Sequence, residues 1–335
     1  MSNPNQFCIE SDADATWAFG RDICINNKYL VLSDLLRNKV FVYTPNGSGR
    51  WQRDREILPP TDLDLSFGNY GSAFANGIEL DGDVLAIYAT TINPEWFREE
   101  SYQSQKDEIS KYFRWRYLTN LRTRTPLKQI DLLVEPELNS DRVRFNLLRK
   151  EKIEQFILPN MGKAILRRKV ALDDNLLLVG YSSPDYTGGA YLFDLTRPEV
   201  EPLELAIENT ALGGTVAVSQ QFAVVGFDGV NSHFYQGNAR DHSHMTLIRN
   251  LKNGATNVID SFGKVSLSGN ILAVMNLGND DIESQFIEVF RLDKNAEAHL
   301  ITKRTVYQGK VQQGFLFTKS FNASNKVCIE PLPSN

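Results

Sequence analysis

The chain has 335 residues, of which 42% are hydrophobic, 10% aromatic and 23% charged. This ordinary composition excludes a disordered, collagen-like or fibrous chain. The formal net charge of −5 makes nucleic acid an improbable partner. No run approaches the ~18 consecutive apolar residues of a membrane span, so we expect no membrane contact. Because the N-terminus lacks a basic segment followed by an apolar one, we expect a cytoplasmic protein.

A unit of strand, polar turn and second strand recurs along the chain. The second strand of each copy is apolar at nearly every position, so it must be covered on both faces. Several copies continue with a third and a fourth strand, which makes each unit a four-stranded antiparallel meander. The copies cover 22–34, 76–89, 169–181, 215–227, 264–276 and, more weakly, 319–331.

The period of this unit predicts the fold class. The residues before each second strand are at positions 28, 83, 175, 221, 270 and 325, which gives intervals of 55, 92, 46, 49 and 55. Repeats of roughly 40–50 residues with four strands each are typical of a β-propeller. We therefore predict an all-β fold, a single β-propeller domain over 1–335. Six blades fit best, and seven would fit if the 92-residue interval held two.

The long interval contains a segment without turn residues, 103–121. Its apolar side chains fall on one helical stripe, formed by Ile109, Tyr112, Phe113, Tyr117 and Leu121. We therefore predict a helical insertion over 97–126 in the second blade.

The two ends of the chain complete one blade in this interpretation. Residues 1–15 supply a strand to a closing blade formed with 315–332, and closure removes exposed strand edges. Cys8 and Cys328 would then lie in the same blade. A disulfide between them is conceivable, but the reducing cytosol favours two free thiols.

Three Phe-Gly pairs resemble the FG-GAP repeat of bacterial proteins and integrin α-chain propellers. Phe19-Gly20, Phe67-Gly68 and Phe262-Gly263 each open a unit, and Trp51 and Leu58 occupy late positions of the first. The resemblance implies a propeller that binds partners, and it implies no reaction. Calcium-binding members carry a DxDxDGxxD loop, which this chain lacks, so we expect no calcium.

The insertion combines basic and aromatic residues. Residues 98–169 hold 17 basic and 10 acidic residues, a net charge of +7, which leaves −12 for the remainder. One interpretation is a surface that binds a protein or a small anionic ligand. The alternative is a basic helix neutralised by the acidic propeller beneath it. The predicted partner-binding residues are Arg114, Trp115, Arg116, Tyr117, Arg122, Arg124 and Lys128.

Three of the four histidines cluster in one predicted loop. His242, His244 and Asp241 could ligate a metal, with His233 nearby. No second cluster of ligands elsewhere matches them, so a polar surface loop is the favoured interpretation. We predict no metal and no cofactor.

No catalytic motif is present: the chain lacks GxSxG, a P-loop, HExxH and a GxGxxG after a strand. The leading hypothesis is therefore a non-catalytic binding or scaffold propeller that uses its face loops and the 97–126 insertion. An enzyme with its site at the mouth of the central channel is the alternative. Its candidate residues lie beside first strands and are Asp22, Glu79, Arg167 and Arg168. A glycan-binding propeller is a second alternative, and the oligomeric state is left open.

Overall fold

A computed structural model describes most of the chain. The described residues are 7–11, 18–47, 50–63, 65, 73–92, 112–131, 142–159, 169–182, 188–197, 199–207, 212–227, 245–261, 263–276, 285–306, 308–319 and 326–332. They form 26 β-strands. Within these ranges, no helix has the length and hydropathy that crossing a bilayer requires.

The chain divides into two compact units. The N-terminal unit contains Glu10–Asn160 and Ser324–Lys326. It holds two four-stranded sheets and, among the described residues, one two-stranded sheet. Sheet 1 consists of β2 (Phe19–Ile25), β3 (Leu30–Asp34), β4 (Lys39–Pro45) and β5 (Trp51–Ile57). Sheet 2 consists of β6 (Ala73–Asp81), β7 (Val84–Ile92), β8 (Tyr112–Asn120) and β9 (Lys128–Asp131), and sheet 3 of β10 (Arg142–Arg149) and β11 (Lys152–Pro159).

The C-terminal unit contains Met1–Ile9, Met161–Ala323 and Val327–Asn335. Its four sheets each have four strands. Sheet 4 consists of β12 (Lys169–Asp173), β13 (Leu176–Ser182), β14 (Gly188–Asp194) and β15 (Leu203–Ala206), and sheet 5 of β16 (Thr215–Val218), β17 (Phe222–Gly226), β18 (Thr246–Asn250) and β19 (Thr256–Ile259). Sheet 6 consists of β20 (Lys264–Ser268), β21 (Ile271–Asn276), β22 (Phe286–Leu292) and β23 (Ala298–Thr305). Sheet 7 consists of β24 (Gln308–Gln312), β25 (Phe315–Lys319) and β26 (Lys326–Pro331), with β1 (Phe7–Glu10) beside β26.

Apolar second strands explain how the sheets pack. Strands β3, β17 and β21 are buried at every position. In the C-terminal unit one apolar layer contains Leu178, Val216 and Val225, and the next contains Phe222, Val224 and Leu272. Alternate residues of one strand therefore contribute to two different layers.

First strands of successive sheets lie side by side within each unit, β2 with β6 and β12 with β16. Side chains bond backbone groups across these contacts. The Asp22 carboxylate accepts a bond from the Ile78 N–H at 2.9 Å. The Thr215 hydroxyl accepts one from the Val265 N–H at 3.0 Å. Four-stranded meanders joined through their first strands are the blades of a β-propeller, so the predicted fold class is confirmed.

Two finer predictions are corrected. The described residues form seven sheets instead of the preferred six blades, because the 92-residue interval contains both sheet 2 and sheet 3. The predicted helical insertion over 97–126 is not seen: β8 and β9 occupy 112–120 and 128–131, and 93–111 lie outside the described residues. The helical prediction was wrong because residues four apart lie on one face of a strand as well as on one face of a helix. Tyr117 and Leu121 are four apart and both belong to the buried core.

Candidate functional site

A group of polar side chains crosses three neighbouring strands of sheet 2. Gly77 of β6 lies opposite Tyr88 of β7, and Tyr88 lies opposite Arg116 of β8. Glu79 is two residues beyond Gly77 and therefore shares its face of the sheet. Residues far apart in the sequence are thus brought together by register alone. We call Glu79, Tyr88 and Arg116 the Tyr88 cluster.

The phenol oxygen of Tyr88 is the centre of this cluster. It donates a hydrogen bond to Oε1 of Glu79 at 2.6 Å and accepts one from Nη2 of Arg116. The Arg116 guanidinium also lies over the Tyr88 ring, 4.6 Å from its centroid, where the negative face of the ring attracts a cation. The ring and its hydroxyl therefore both hold the arginine.

Sheet 3 supplies a further contact. Nη1 of Arg116 donates a hydrogen bond to the backbone carbonyl of Asn146 in β10 at 2.8 Å. The cluster therefore lies on the face of sheet 2 that turns toward sheet 3, inside the N-terminal unit. Arg116 links the two sheets.

Burial sets the protonation and the reactivity of the cluster. The Arg116 residue is 3% exposed, and its Nε atom is buried without a hydrogen-bond partner. Burial, followed by the charge of Glu79, raises the pKa of the Tyr88 phenol well above its usual range. Tyr88 is therefore a neutral hydrogen-bond donor, and Arg116 keeps an N–H for which the described residues supply no acceptor.

The glycine opposite Tyr88 leaves space beside the ring. A Cβ atom at Gly77 would meet the Tyr88 ring at 3.5 Å, an ordinary contact, and no backbone atom closer than that. Glu79 and Tyr88 are half-buried, so solvent reaches them. Two donors, Tyr88 and Arg116, thus converge with the carboxylate of Glu79. Such a set can hold a developing oxyanion and accept a proton.

Two of the four candidate residues for an enzyme site, Glu79 and Asp22, are described by the structure, and they do different things. Glu79 belongs to the Tyr88 cluster. The carboxylate of Asp22 accepts bonds from two backbone N–H groups, those of Ile23 and Ile78, both at 2.9 Å. Asp22 therefore fastens sheet 1 to sheet 2. Arg167 and Arg168 lie outside the described residues.

The predicted partner-binding residues are not brought to one surface. Arg116 and Tyr117 are buried, and they face opposite sides of β8 because successive residues of a strand alternate. Arg122, Arg124 and Lys128 are exposed. Arg114 and Trp115 lie in β8.

The predicted histidine loop, with His233, His242 and His244, lies outside the described residues. Among the residues that are described, Asp293, Glu297 and His299 place one possible ligand atom each within 4.8 Å of one another. Asp293 already accepts bonds from the N–H groups of Asn295 and Glu297, both within 2.9 Å. This arrangement is explained by the turn between β22 and β23.

Sequence reasoning missed Tyr88 entirely and assigned Arg116 to an exposed surface. One signal was available: Tyr88 is the single hydroxyl-bearing aromatic in the apolar run Val84–Ala89. A buried tyrosine hydroxyl needs a polar partner, so this position predicts a nearby polar group. The identity of that partner follows only from the strand register.

Comparison with known proteins identifies no family. No protein-family model matches the chain, and no curated protein matches its sequence. Solved structures similar to it include Pyrococcus horikoshii acylaminoacyl peptidase, at 13% identity and a TM-score of 0.43 over 76% of this chain and 43% of that chain. This chain therefore spans less than half the length of that peptidase.

Two other similar structures cover more of their own length. The β-propeller domain of the Trilobed protease from Pyrococcus furiosus has 15% identity and a TM-score of 0.40 over 72% of this chain and 76% of that one. A protein from Lactobacillus plantarum has 10% identity and a TM-score of 0.36 over 93% of this chain and 74% of that one. Similarity at this level concerns the fold.

The leading functional hypothesis from the sequence is wrong. It described a non-catalytic scaffold that binds a protein or anionic partner through face loops and the 97–126 insertion. Two of the similar structures are a peptidase and the propeller domain of a protease. In addition, residues 112–120 of the segment that was to form the binding surface are strand β8 of sheet 2, with Arg116 and Tyr117 buried.

Proposed function

We propose that the protein is an enzyme, or the substrate-handling part of one, that hydrolyses an ester or amide at the Tyr88 cluster. The observation that carries the proposal is the convergence of Arg116 and Glu79 on the Tyr88 oxygen. Burial keeps Tyr88 neutral, and Nε of Arg116 has no hydrogen-bond partner among the described residues. The groups needed to polarise a carbonyl and to take up a proton therefore lie side by side.

In the proposed reaction, Glu79 accepts a proton from a water molecule, and the water oxygen attacks the carbonyl carbon of the substrate. The electron pair of the C=O bond moves onto oxygen, and this oxyanion accepts hydrogen bonds from Tyr88 and Arg116. When the tetrahedral intermediate collapses, the bond to the leaving group breaks. The leaving oxygen or nitrogen then takes the proton from Glu79, so the carboxylate is restored.

Neutral Tyr88 suits this role. An O–H that does not ionise at physiological pH remains a donor while negative charge develops on the substrate oxygen. Its hydroxyl would turn from Glu79 to the oxyanion, which frees the carboxylate to act as a base. Arg116 cannot turn far, because the Asn146 carbonyl and the Tyr88 ring hold it.

The test uses the purified full chain with a panel of p-nitrophenyl esters and peptide p-nitroanilides. We expect release of the chromophore, and we expect Tyr88→Phe and Glu79→Gln each to lower kcat by roughly 100-fold or more. Tyr181→Phe is the matched control, because Tyr181 also bonds a glutamate, Glu204, in sheet 4. It should keep full activity.

Melting temperatures of all variants are measured first, so that loss of folding is not mistaken for loss of chemistry. The proposal is contradicted if no substrate of the panel is turned over. It is also contradicted if Tyr88→Phe and Glu79→Gln remain folded and as active as the parent chain.

Three other predictions remain proposals. The first is a relationship to FG-GAP repeats, supported by Phe19 at the start of β2. The second is a single domain over 1–335 with 1–15 and 315–332 in a closing blade, supported by the position of β1 beside β26. The third is a cytoplasmic location.

A further inference from the structure

A disulfide joins β1, an edge strand of sheet 7, to its neighbour β26. Cys8 of β1 is bonded to Cys328 of β26, although the two residues are 320 positions apart in the sequence. The sequence led us to favour two free thiols here, and the structure corrects that expectation, because pairing of β1 with β26 brings the two thiols together. Near the other end of the pair, Nζ of Lys326 lies 2.7 Å from a carboxylate oxygen of Glu10.

The described residues of β1 contribute little apolar burial that would hold the strand in place without this bond. The strand has four residues, which alternate between half-buried and exposed, and none of them belongs to the buried core. Its neighbour β26 buries Val327, Ile329 and Glu330. Segments with few buried apolar contacts open locally at low cost, so β1 depends on the disulfide far more than β26 does.

Access to the two kinds of cysteine differs. Cys8 is exposed, so an external thiolate can reach its sulfur. Cys24 is buried, 6% exposed, and its thiol contacts the Ile78 carbonyl oxygen at 3.2 Å. Thiol–disulfide exchange depends on access to the attacked sulfur. A reductant should therefore act on the Cys8–Cys328 bond and leave Cys24 unchanged.

We propose that the Cys8–Cys328 disulfide is a redox-controlled clasp whose reduction releases β1 from β26. A dithiol reductant attacks the Cys8 sulfur, the S–S bond breaks, and a mixed disulfide forms. The second thiol of the reductant then closes its own disulfide. The reductant loses two electrons and two protons, and Cys8 and Cys328 become thiols. Release of β1 leaves β26 as the edge of sheet 7, with unpaired backbone groups that another strand can pair with.

Such a clasp is compatible with the proposed cytoplasmic location. Cytosolic disulfides, where they occur, are usually transient and redox-sensing. The inference does not depend on the proposed hydrolysis, since the clasp and the Tyr88 cluster involve different residues and different sheets.

The first measurement counts thiols. The full chain is denatured without reductant, alkylated with iodoacetamide and analysed by mass spectrometry. We expect one label, on Cys24. After native treatment with dithiothreitol we expect two more, on Cys8 and Cys328. Three labels before reduction, or a bond that dithiothreitol reduces only after denaturation, would overturn the proposal.

The second measurement follows hydrogen exchange of β1 and β26. Reduction, or the substitution Cys8→Ser, should speed amide exchange in β1 at least ~10-fold, while β25 stays protected. Cys24→Ala is the matched control and should retain the oxidised pattern. If exchange in β1 is the same in the oxidised, reduced and Cys8→Ser proteins, the bond is not a clasp.

Discussion

Sheet 2 and sheet 4 each contain a second-strand tyrosine that lies opposite a glycine and bonds a glutamate. Tyr88 lies opposite Gly77, and Tyr181 lies opposite Gly189. Each hydroxyl donates to a glutamate, Glu79 for Tyr88 and Glu204 for Tyr181. The ring of Tyr88 carries the Arg116 guanidinium, whereas the ring of Tyr181 stacks on Tyr191 with 4.9 Å between centroids.

The two sites differ in free space and in charge. A Cβ atom at Gly189 would lie 2.5 Å from the Leu205 carbonyl oxygen, whereas one at Gly77 would meet the Tyr88 ring at 3.5 Å. Packing therefore closes the sheet 4 site, while the sheet 2 site stays open beside a buried cation. The neighbouring strands therefore decide how tightly a tyrosine opposite a glycine is packed.

The largest expected effect on stability comes from replacing one of these two glycines, Gly189, with alanine. Gly189→Ala puts a methyl group against backbone that cannot move freely, so we expect a loss of about 3 kcal/mol or more in the free energy of unfolding. Gly77→Ala meets only an aromatic ring at an ordinary distance and should cost about 1 kcal/mol or less. Urea denaturation of both variants beside the parent chain measures the difference.

The comparison of the two sites is contradicted if Gly77→Ala costs more stability than Gly189→Ala. A Gly189→Ala protein as stable as Gly77→Ala would mean that the sheet 4 site has room after all. Tyr181 would then no longer serve as a control site that is closed to a substrate. Gly77→Ala should also lower any hydrolytic activity, because the added methyl group takes up space beside Tyr88.

The repeat predicted most of this architecture from the sequence. Apolar second strands and polar turns indicated the hairpins at 22–34, 169–181 and 264–276, and each of these ranges holds two paired strands. The helical prediction was wrong for 112–120, which form β8, because aromatic residues at mixed spacing fit a helix and a buried strand equally. Long-range pairing with β7 decides between the two, and no local signal reveals that pairing.

The site was less predictable than the fold. Glu79 was a candidate, because its charged side chain was expected beside a first strand. Its partners depend on which residues of β7 and β8 lie opposite β6. A register shift between Phe74 and Gly77 sets that alignment. A shift of one residue would turn Tyr88 to the other face of the sheet, so pattern alone cannot identify the cluster.

An intermediate effect is expected from removing each hydroxyl. Tyr88→Phe leaves the buried Arg116 without one of its acceptors and Glu79 without its donor. We expect a loss of about 2 kcal/mol in the free energy of unfolding. Tyr181→Phe removes a bond to Glu204, which is exposed and regains water, so about 1 kcal/mol or less should be lost.

Denaturation curves of the two variants, together with a double variant, test this difference. The sites lie in different sheets and share no residue, so the two losses should add within about 0.5 kcal/mol. If Tyr88→Phe and Tyr181→Phe lower the free energy of unfolding equally, the buried Arg116 does not make the Tyr88 hydroxyl more important for stability.

The smallest effect is expected at Asp194, a half-buried charge of sheet 4, which contrasts with the buried Arg116 of sheet 2. The Thr196 hydroxyl, and then the Arg197 guanidinium, lower the pKa of Asp194 to about 2. Because the native pKa lies below the ordinary value of 3.8, the ionised form stabilises the fold above pH 3.8. That contribution is lost as the pH falls toward about 2.

Asp194→Asn should remove this part of the acid sensitivity. We expect the melting temperatures of parent and variant to differ slightly at pH 5 and to converge by pH 2, since the parent has then lost its advantage. Asp194 is close to solvent, so 0.5 M salt should shrink the gap at pH 5. A gap that instead widens as the pH falls would reverse the sign of the linkage and show that Thr196 and Arg197 do not stabilise the carboxylate.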